Sequence, residues 1–392
     1  MVAEDGALSF RHLFSRSLGA APERLHFAAH SHHLWPDASF AGQQQAWLDA
    51  AALADRKWGK VMGEVWPEAQ GHIGRELGVA ADQIVFAANT HDFLIRLFAA
   101  VPRDGPVRIL TSDGEFHSAR RQFARWEEEG DAVVTRIAAE PFETFSDRFV
   151  SAAEAGGHDL IFISRVLFGS GRIFEQSETL SAFSAPEGPW VIVDGYHAFM
   201  AIESPFFETP APSAFFLGGG YKYAMAGEGM AFMQCPPGFG PRPPVTGWYA
   251  EFGDLTAPPG SSVGYTSDAM RFMGATFDPS ALYRFNAIQR MLAGEGLSTA
   301  TISAKVASLQ ERLLSAIDRT PLGQAQLLNP LDGKSHARFL AFRHPKAAAW
   351  NAALMAKNCI TDVRGEVLRI GLALYHDDAD VDAFAKLATD LP

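Results

Sequence analysis

The chain has 392 residues, 47% of them hydrophobic and 20% charged, with a formal net charge of −12; two domains suit that length better than one core. The acidic balance argues against nucleic acid and anionic membranes as partners. Two cysteines, Cys235 and Cys359, are too few for a disulfide framework and fit a reducing compartment.

No run of about 18 apolar residues occurs, so no spanning helix is expected. The opening MVAEDGALSFRHLF has early acids and no apolar stretch of signal-peptide type, so a cytoplasmic protein is expected. SFRHLFSRSL reads as a helix, and so does the region from Gln43 to Leu77. QIVFAAN is a short apolar run that leads into THDFLIRLFAAV, a helix by periodicity. Strands and helices then alternate. VRILTS, DAVVTRIA, DLIFISRVLF and WVIVDGYHAF read as strands. HSARRQFARWEEEG, DRFVSAAEAGG and SETLSAFSAPEG read as helices. SAFFLGGGYKY and GMAFMQC follow as two more strands. This order predicts an α/β fold with a mostly parallel sheet covered on both faces. The Pro- and Gly-rich stretch GPRPPVTGWYAEFGDLTAPPGSSVG marks a long loop and a domain boundary. A long helical region and a small α+β unit follow, with ARFLAFRH and EVLRIGLALYH as its strands.

Five places carry possible chemistry. Asp194 ends a buried apolar strand, where open α/β sheets bind ligands; a plain turn cap is the alternative. His197 follows it. Lys222 lies in an apolar, glycine-flanked stretch. Lysine is rarely buried without a partner, and desolvation would make its amine nucleophilic, as Schiff-base chemistry requires. Its three preceding glycines would let the backbone approach a flat ring or a phosphate. Asn89, Thr90 and His91 stand at a strand-to-helix junction, where free N–H groups favour phosphate, or where Asn or Thr serves only as a cap. Phe116, at the next such junction, could stack on a ring or pack in the core. Arg369, within an apolar strand, calls for a carboxylate, from a substrate or from the protein itself.

Taken in order, these motifs resemble fold-type-I pyridoxal phosphate (PLP) enzymes of the class V aminotransferase group, and within it the kynureninase relatives. The resemblance runs from about His26 to the end. WVIVDGYHAF, GGGYKYAMAGEGMAFM with GWYAEF, and DVRGEVLRIGLALYHDDADVDAF carry it most specifically. It implies pyridoxal 5'-phosphate held covalently by Lys222, with Asp194 on the ring nitrogen, His197 beside the ring oxygen and Phe116 on the ring face. It also implies that Asn89, Thr90, His91 and Tyr221 surround the phosphate. Trp248 and Thr276 would join them, reaching across from a second subunit of a homodimer. Arg369 would grip the substrate carboxylate, and His30 and Ser31 would face the substrate. The implied division is 1–25 as an N-terminal segment packing on the small domain, 26–258 as the large cofactor domain with a seven-stranded-type sheet, and 259–392 as the small α+β domain.

The sequence also departs from kynureninases. HFAAHSHHLWP replaces their Asn-Ser-Leu-Gly type motif. Their Phe-Pro-Thr-Asp turn is here Phe116-His117-Ser118-Ala119, so an acidic cofactor contact is expected to be missing. GATFDP resembles the Gly-Thr element of aminotransferases. A kynureninase-like hydrolase is therefore read against an aminotransferase, a cysteine desulfurase and a non-catalytic binding protein. His30, His32 and His33 lack a second ligand cluster of fitting spacing, so no metal is expected.

Overall fold

The computed structural model describes residues 9–206, 213–254, 262–332 and 336–392. A two-residue strand, β1 (Leu25–His26), comes first. Seven strands follow: β2 (Ile84–Ala87), β3 (Val107–Ser112), β4 (Ala132–Ile137), β5 (Leu160–Ser164), β6 (Trp190–Asp194), β7 (Phe215–Gly219) and β8 (Ala231–Gln234). They form one sheet in the order β2-β8-β7-β6-β5-β3-β4. Strands β3 to β7 pair in parallel, and β8 runs antiparallel to both neighbours. All residues of β5 and β7 are buried, as are those of β6 up to Asp194. Such continuous apolar runs suit a sheet with both faces covered.

The remaining strands are β9 (Gln326–Leu327), β10 (Phe339–Arg343), β11 (Cys359–Ile360), β12 (Asp362–Arg364) and β13 (Val367–Gly371). Four of them make an antiparallel sheet ordered β12-β13-β10-β9. β11 pairs in parallel with β1, and Ala28 bridges Gly371. The N-terminal segment is also tied there by Arg11 and Asp380, 2.8 Å apart. The expected boundary at 258/259 lies outside the described residues.

Several elements are shorter or more broken than their sequence suggests. The helical region from Gln43 to Leu77 splits into Asp37–Leu53, Lys57–Lys60 and Trp66–Leu77, with a π segment at Val61–Val65. SETLSAFSAPEG forms little more than one turn, Ser177–Ser181. DLIFISRVLF leaves the sheet after Ser164, because Val166 turns to bridge Ile173. The helix Ser280–Gly294 packs back on Asp37–Leu53, where Tyr283 Oη donates to Asp49 at 2.9 Å. Among the described residues no helix is long and apolar enough to cross a membrane.

The glycine run before Lys222 works differently from the sequence expectation. A Cβ on Gly219 would stand 2.6 Å from Tyr196 Oη, and one on Gly218 would stand 2.5 Å from the Phe232 ring. The missing side chains admit protein rings rather than a ligand. Gly219→Ala is expected to cost about 1–3 kcal/mol by overpacking, read as a lower urea midpoint, and to displace Tyr196.

Candidate active site

The C-terminal ends of β5 and β6, the turn after β7 and the start of the helix Thr90–Ala100 meet around a cavity of about 1050 Å³. It lies where an open α/β sheet binds ligands. Of the predicted residues, Asn89, Thr90, His91, Phe116, Asp194, His197, Tyr221 and Lys222 line one side, and His30, Ser31 and Arg369 line another. Trp248 and Thr276 do not line it. Trp248 packs at a tilt against Tyr249, with ring centroids 4.0 Å apart, and Thr276 is exposed.

Lys222 follows β7, and its Nζ touches His197 Nε2. It also sits 5.1 Å from the Tyr196 ring centroid and 5.8 Å from that of Phe116. Burial depresses its amine to about 7; Asp194 opposes this, while Arg369 and Arg364 assist it. Asp194 Oδ1 accepts the Tyr196 N–H at 2.9 Å. Burial raises its carboxyl, against that hydrogen bond and the charge of Lys222. Burial holds His197 well below the ordinary imidazole range, with Lys222 and Arg369 adding to the effect. A neutral ring whose Nε2 accepts from Lys222 carries its proton on Nδ1. That Nδ1 is buried without a partner, so a donor is left over for a bound group.

At the opposite end Asn89 Oδ1 accepts the Asp92 N–H at 3.0 Å, so Asn89 acts as the N-cap of Thr90–Ala100. The first N–H groups of this eleven-residue helix remain for an anion. His91 Nδ1 is buried without a partner beside them. Tyr221 Oη lies 3.2 Å from His32 Nδ1.

The third wall comes from the C-terminal sheet. Arg369 is 3% exposed. It donates to the Phe168 carbonyl and to Asp362 Oδ2, and its Nε has no partner. Arg364 pairs with Asp362 Oδ1 at 3.0 Å, and His30 Nε2 lies 3.5 Å from Oδ2. One carboxylate thus faces two guanidiniums. His30 is fully buried and stacks on Phe339. Gly371 makes room for it, since a Cβ there would fall 2.2 Å from His30 Nδ1. His33 is committed elsewhere, bonded to the Leu34 carbonyl at 2.7 Å.

Sequence reading missed five residues here: Glu115, Ser164, Tyr196, Asp362 and Arg364. Glu115, one residue before Phe116, is fully buried behind the site and does not line the cavity. A second acid after Asp113 in a short strand-to-helix turn was the available signal. For Asp362 and Arg364 it was two charges close before Arg369. Both cysteines are buried, and burial pushes each thiol up to about 12.

The donor set fits an anionic, ring-bearing group: a helix start, an aromatic face at Phe116, a spare imidazole donor, a carboxylate at Asp194 and a desolvated amine. Residues 302–387 match the kynureninase C-terminal domain. No curated protein matches the sequence. The apo cysteine desulfurase from Thermococcus onnurineus NA1 is similar in structure, with a TM-score of 0.78 at 17% identity, over 100% of this protein and 99% of that one. A C-DES mutant with glycine covalently linked to its PLP cofactor gives 0.80 at 13%, over 98% and 100%. The cysteine desulfurase CsdA from Escherichia coli gives 0.75 at 14%, over 96% of each. Identities this low speak for the fold. The protein has the fold of the class V, fold-type-I PLP enzymes and carries a kynureninase C-terminal domain.

Proposed function

We propose that the protein is a cytoplasmic, homodimeric PLP enzyme acting on an amino acid, a kynureninase-like hydrolase that cleaves a carbon–carbon bond in the substrate's side chain. The kynureninase match over 302–387 supports this reading most, because it contains Arg364 and Arg369, which line the same cavity as Lys222 and Asp194, and Asp362, which pairs with both arginines. Bound PLP supplies an electrophilic aldehyde and a ring that withdraws electrons from the substrate.

The protein's own residues do the rest. Lys222 would hold the cofactor's aldehyde carbon and can move a proton at the substrate Cα. Asp194 would hold the ring nitrogen in its protonated form. His197 Nδ1–H would donate to the ring oxygen, and Phe116 would cover the ring. Thr90, His91, Tyr221 and the helix N–H groups bind phosphate, with Asn89 fixing the helix start. Trp248 and Thr276 complete that end from a second copy. His30 and Ser31 border the substrate. Arg369 and Arg364 take its carboxylate. In the reaction, water's oxygen goes to the carbonyl carbon of the substrate's side chain and a proton goes to Cβ. The thiolate a desulfurase needs is not available from two buried, neutral thiols. The Gly274-Ala275-Thr276 element supports the second reading, an aminotransferase.

One experiment separates them: visible spectra of the purified protein with PLP, then with L-kynurenine. Retained colour with equal amounts of alanine and anthranilate supports the hydrolase. Conversion to the pyridoxamine form with release of an oxo acid favours the aminotransferase. A protein that takes up no PLP overturns the cofactor reading.

Cofactor capture should depend on pH. Below about 7 the Lys222 amine is protonated and not nucleophilic; above it the amine is free. PLP capture should therefore accelerate through neutral pH and level off, far below the range of an ordinary lysine near 10.4. Stopped-flow absorbance reads this, and a rate still rising at pH 10 contradicts it. Arg364→Gln is expected to raise KM for the amino acid about tenfold, the loss of one charge-assisted hydrogen bond, and to leave the PLP spectrum unchanged.

A further inference from the structure

Glu115 is 0% exposed and does not line the cavity. It sits between the ends of β3 and β5. Its Oε1 accepts from Ser112 Oγ at 2.6 Å and from the Ser164 N–H at 3.3 Å, and its Oε2 is in contact with Ser164 Oγ. Ser164 does line the cavity and lies directly beside Asp194 in the sheet. A buried carboxyl at Glu115 therefore stands behind the half-buried one at Asp194, with Ser164 bonded to the first and paired in the sheet with the second.

We propose that Glu115 is a positioning residue that holds a proton behind Asp194, so that this face presents one negative charge to the bound group rather than two. This rests on the PLP reading. A protonated Glu115 donates through Oε2 to Ser164 Oγ, which has lone pairs to accept it and a hydrogen to pass on toward the cavity. Ser112 Oγ–H and the Ser164 N–H still satisfy Oε1. Among the described residues no cation contacts Glu115, and both its donors are neutral, so full ionisation would place a buried charge beside that of Asp194. Desolvation chiefly, with Asp194 next, pushes the Glu115 carboxyl up to about 7, against the three hydrogen bonds. Asp194 is the charged group that acts on it; Ser112 and Ser164 complete its surroundings.

Below about 7 Glu115 is neutral and Glu115→Gln is nearly silent. Above it the natural protein gains a second negative charge on this face, and the variant does not. PLP affinity, from titration of the visible band, should match within about twofold near pH 6 and be about 5–10-fold tighter in Glu115→Gln near pH 8.5. Equal affinities at both pH values, or equal loss at both, overturn the proposal. Infrared spectra of the cofactor-free protein test the proton separately. The natural protein should show a protonated-carboxyl band near pH 6 that Glu115→Gln lacks, and absence of that band overturns the proposal even if PLP binds. If the natural protein shows the band but binds no PLP, the cofactor reading fails and the claim that Glu115 serves the cofactor fails with it. If Glu115→Gln does not fold, Ser164→Ala replaces it. That change removes one bond favouring the carboxylate, so the infrared band should persist to higher pH; an unmoved midpoint overturns the link through Ser164.

Discussion

Lys222→Ala is expected to leave a folded protein that no longer retains PLP through gel filtration, with activity reduced at least about 10³-fold. Lys222 is the one amine among the described residues lining the cavity, so no neighbour can substitute. The fold should tolerate the loss. The amine is depressed chiefly by burial, which means the native state holds it at a desolvation cost that alanine does not incur. The change also relieves repulsion from Arg369 and Arg364. Urea denaturation of the cofactor-free proteins should differ by no more than about 1 kcal/mol. Activity within tenfold of the natural protein would return Lys222 to the status of an ordinary strand-end lysine.

Asp362→Ala should do the reverse and damage stability first. Its carboxylate pairs with Arg369 and Arg364 and stands 3.5 Å from His30. Arg369 is 3% exposed, and burial already depresses its guanidinium to about 10. Removing this carboxylate takes away the ion-pair partner of a buried cation, a loss of about 3–5 kcal/mol. Denaturant unfolding of the cofactor-free protein measures it. Added carboxylate ligands should restore part of the loss in Asp362→Ala, since they can enter between the two guanidiniums. A variant as stable as the parent would show that the pair contributes nothing net.

Much of the fold and the site is legible in the sequence because its causes are local. Burial on both faces imposes continuous apolar strands, so β5, β6 and β7 stand out, and with them the strand-end position of Asp194. The helix start at Asn89 is capped by its own side group and is equally local. What stays hidden depends on packing between distant segments. The glycines before Lys222 accommodate Tyr196 and Phe232, which nothing in their own stretch reveals. Arg369 is open to either a substrate or an internal acid, and only the register of β12 against β13 sets Asp362 opposite it. Glu115 stands among polar turn residues, and its burial follows from β3 and β5 being neighbours. Trp248 and Thr276 lie away from the cavity, a placement set by packing that their own stretch does not reveal.

The pairing of β1 with β11, and of Ala28 with Gly371, also sets an order of events during synthesis. His30 is made more than three hundred residues before its neighbours Asp362, Arg369 and Gly371. At about 5–20 residues per second, the segment around His30 waits many seconds on the ribosome for its partner strand. Meanwhile Lys222, Asp194 and the helix start at Thr90 have already emerged and can assemble around the large sheet. Cofactor capture can therefore precede completion of the substrate wall, and a nascent polypeptide halted before residue 359 would be coloured yet unable to turn over.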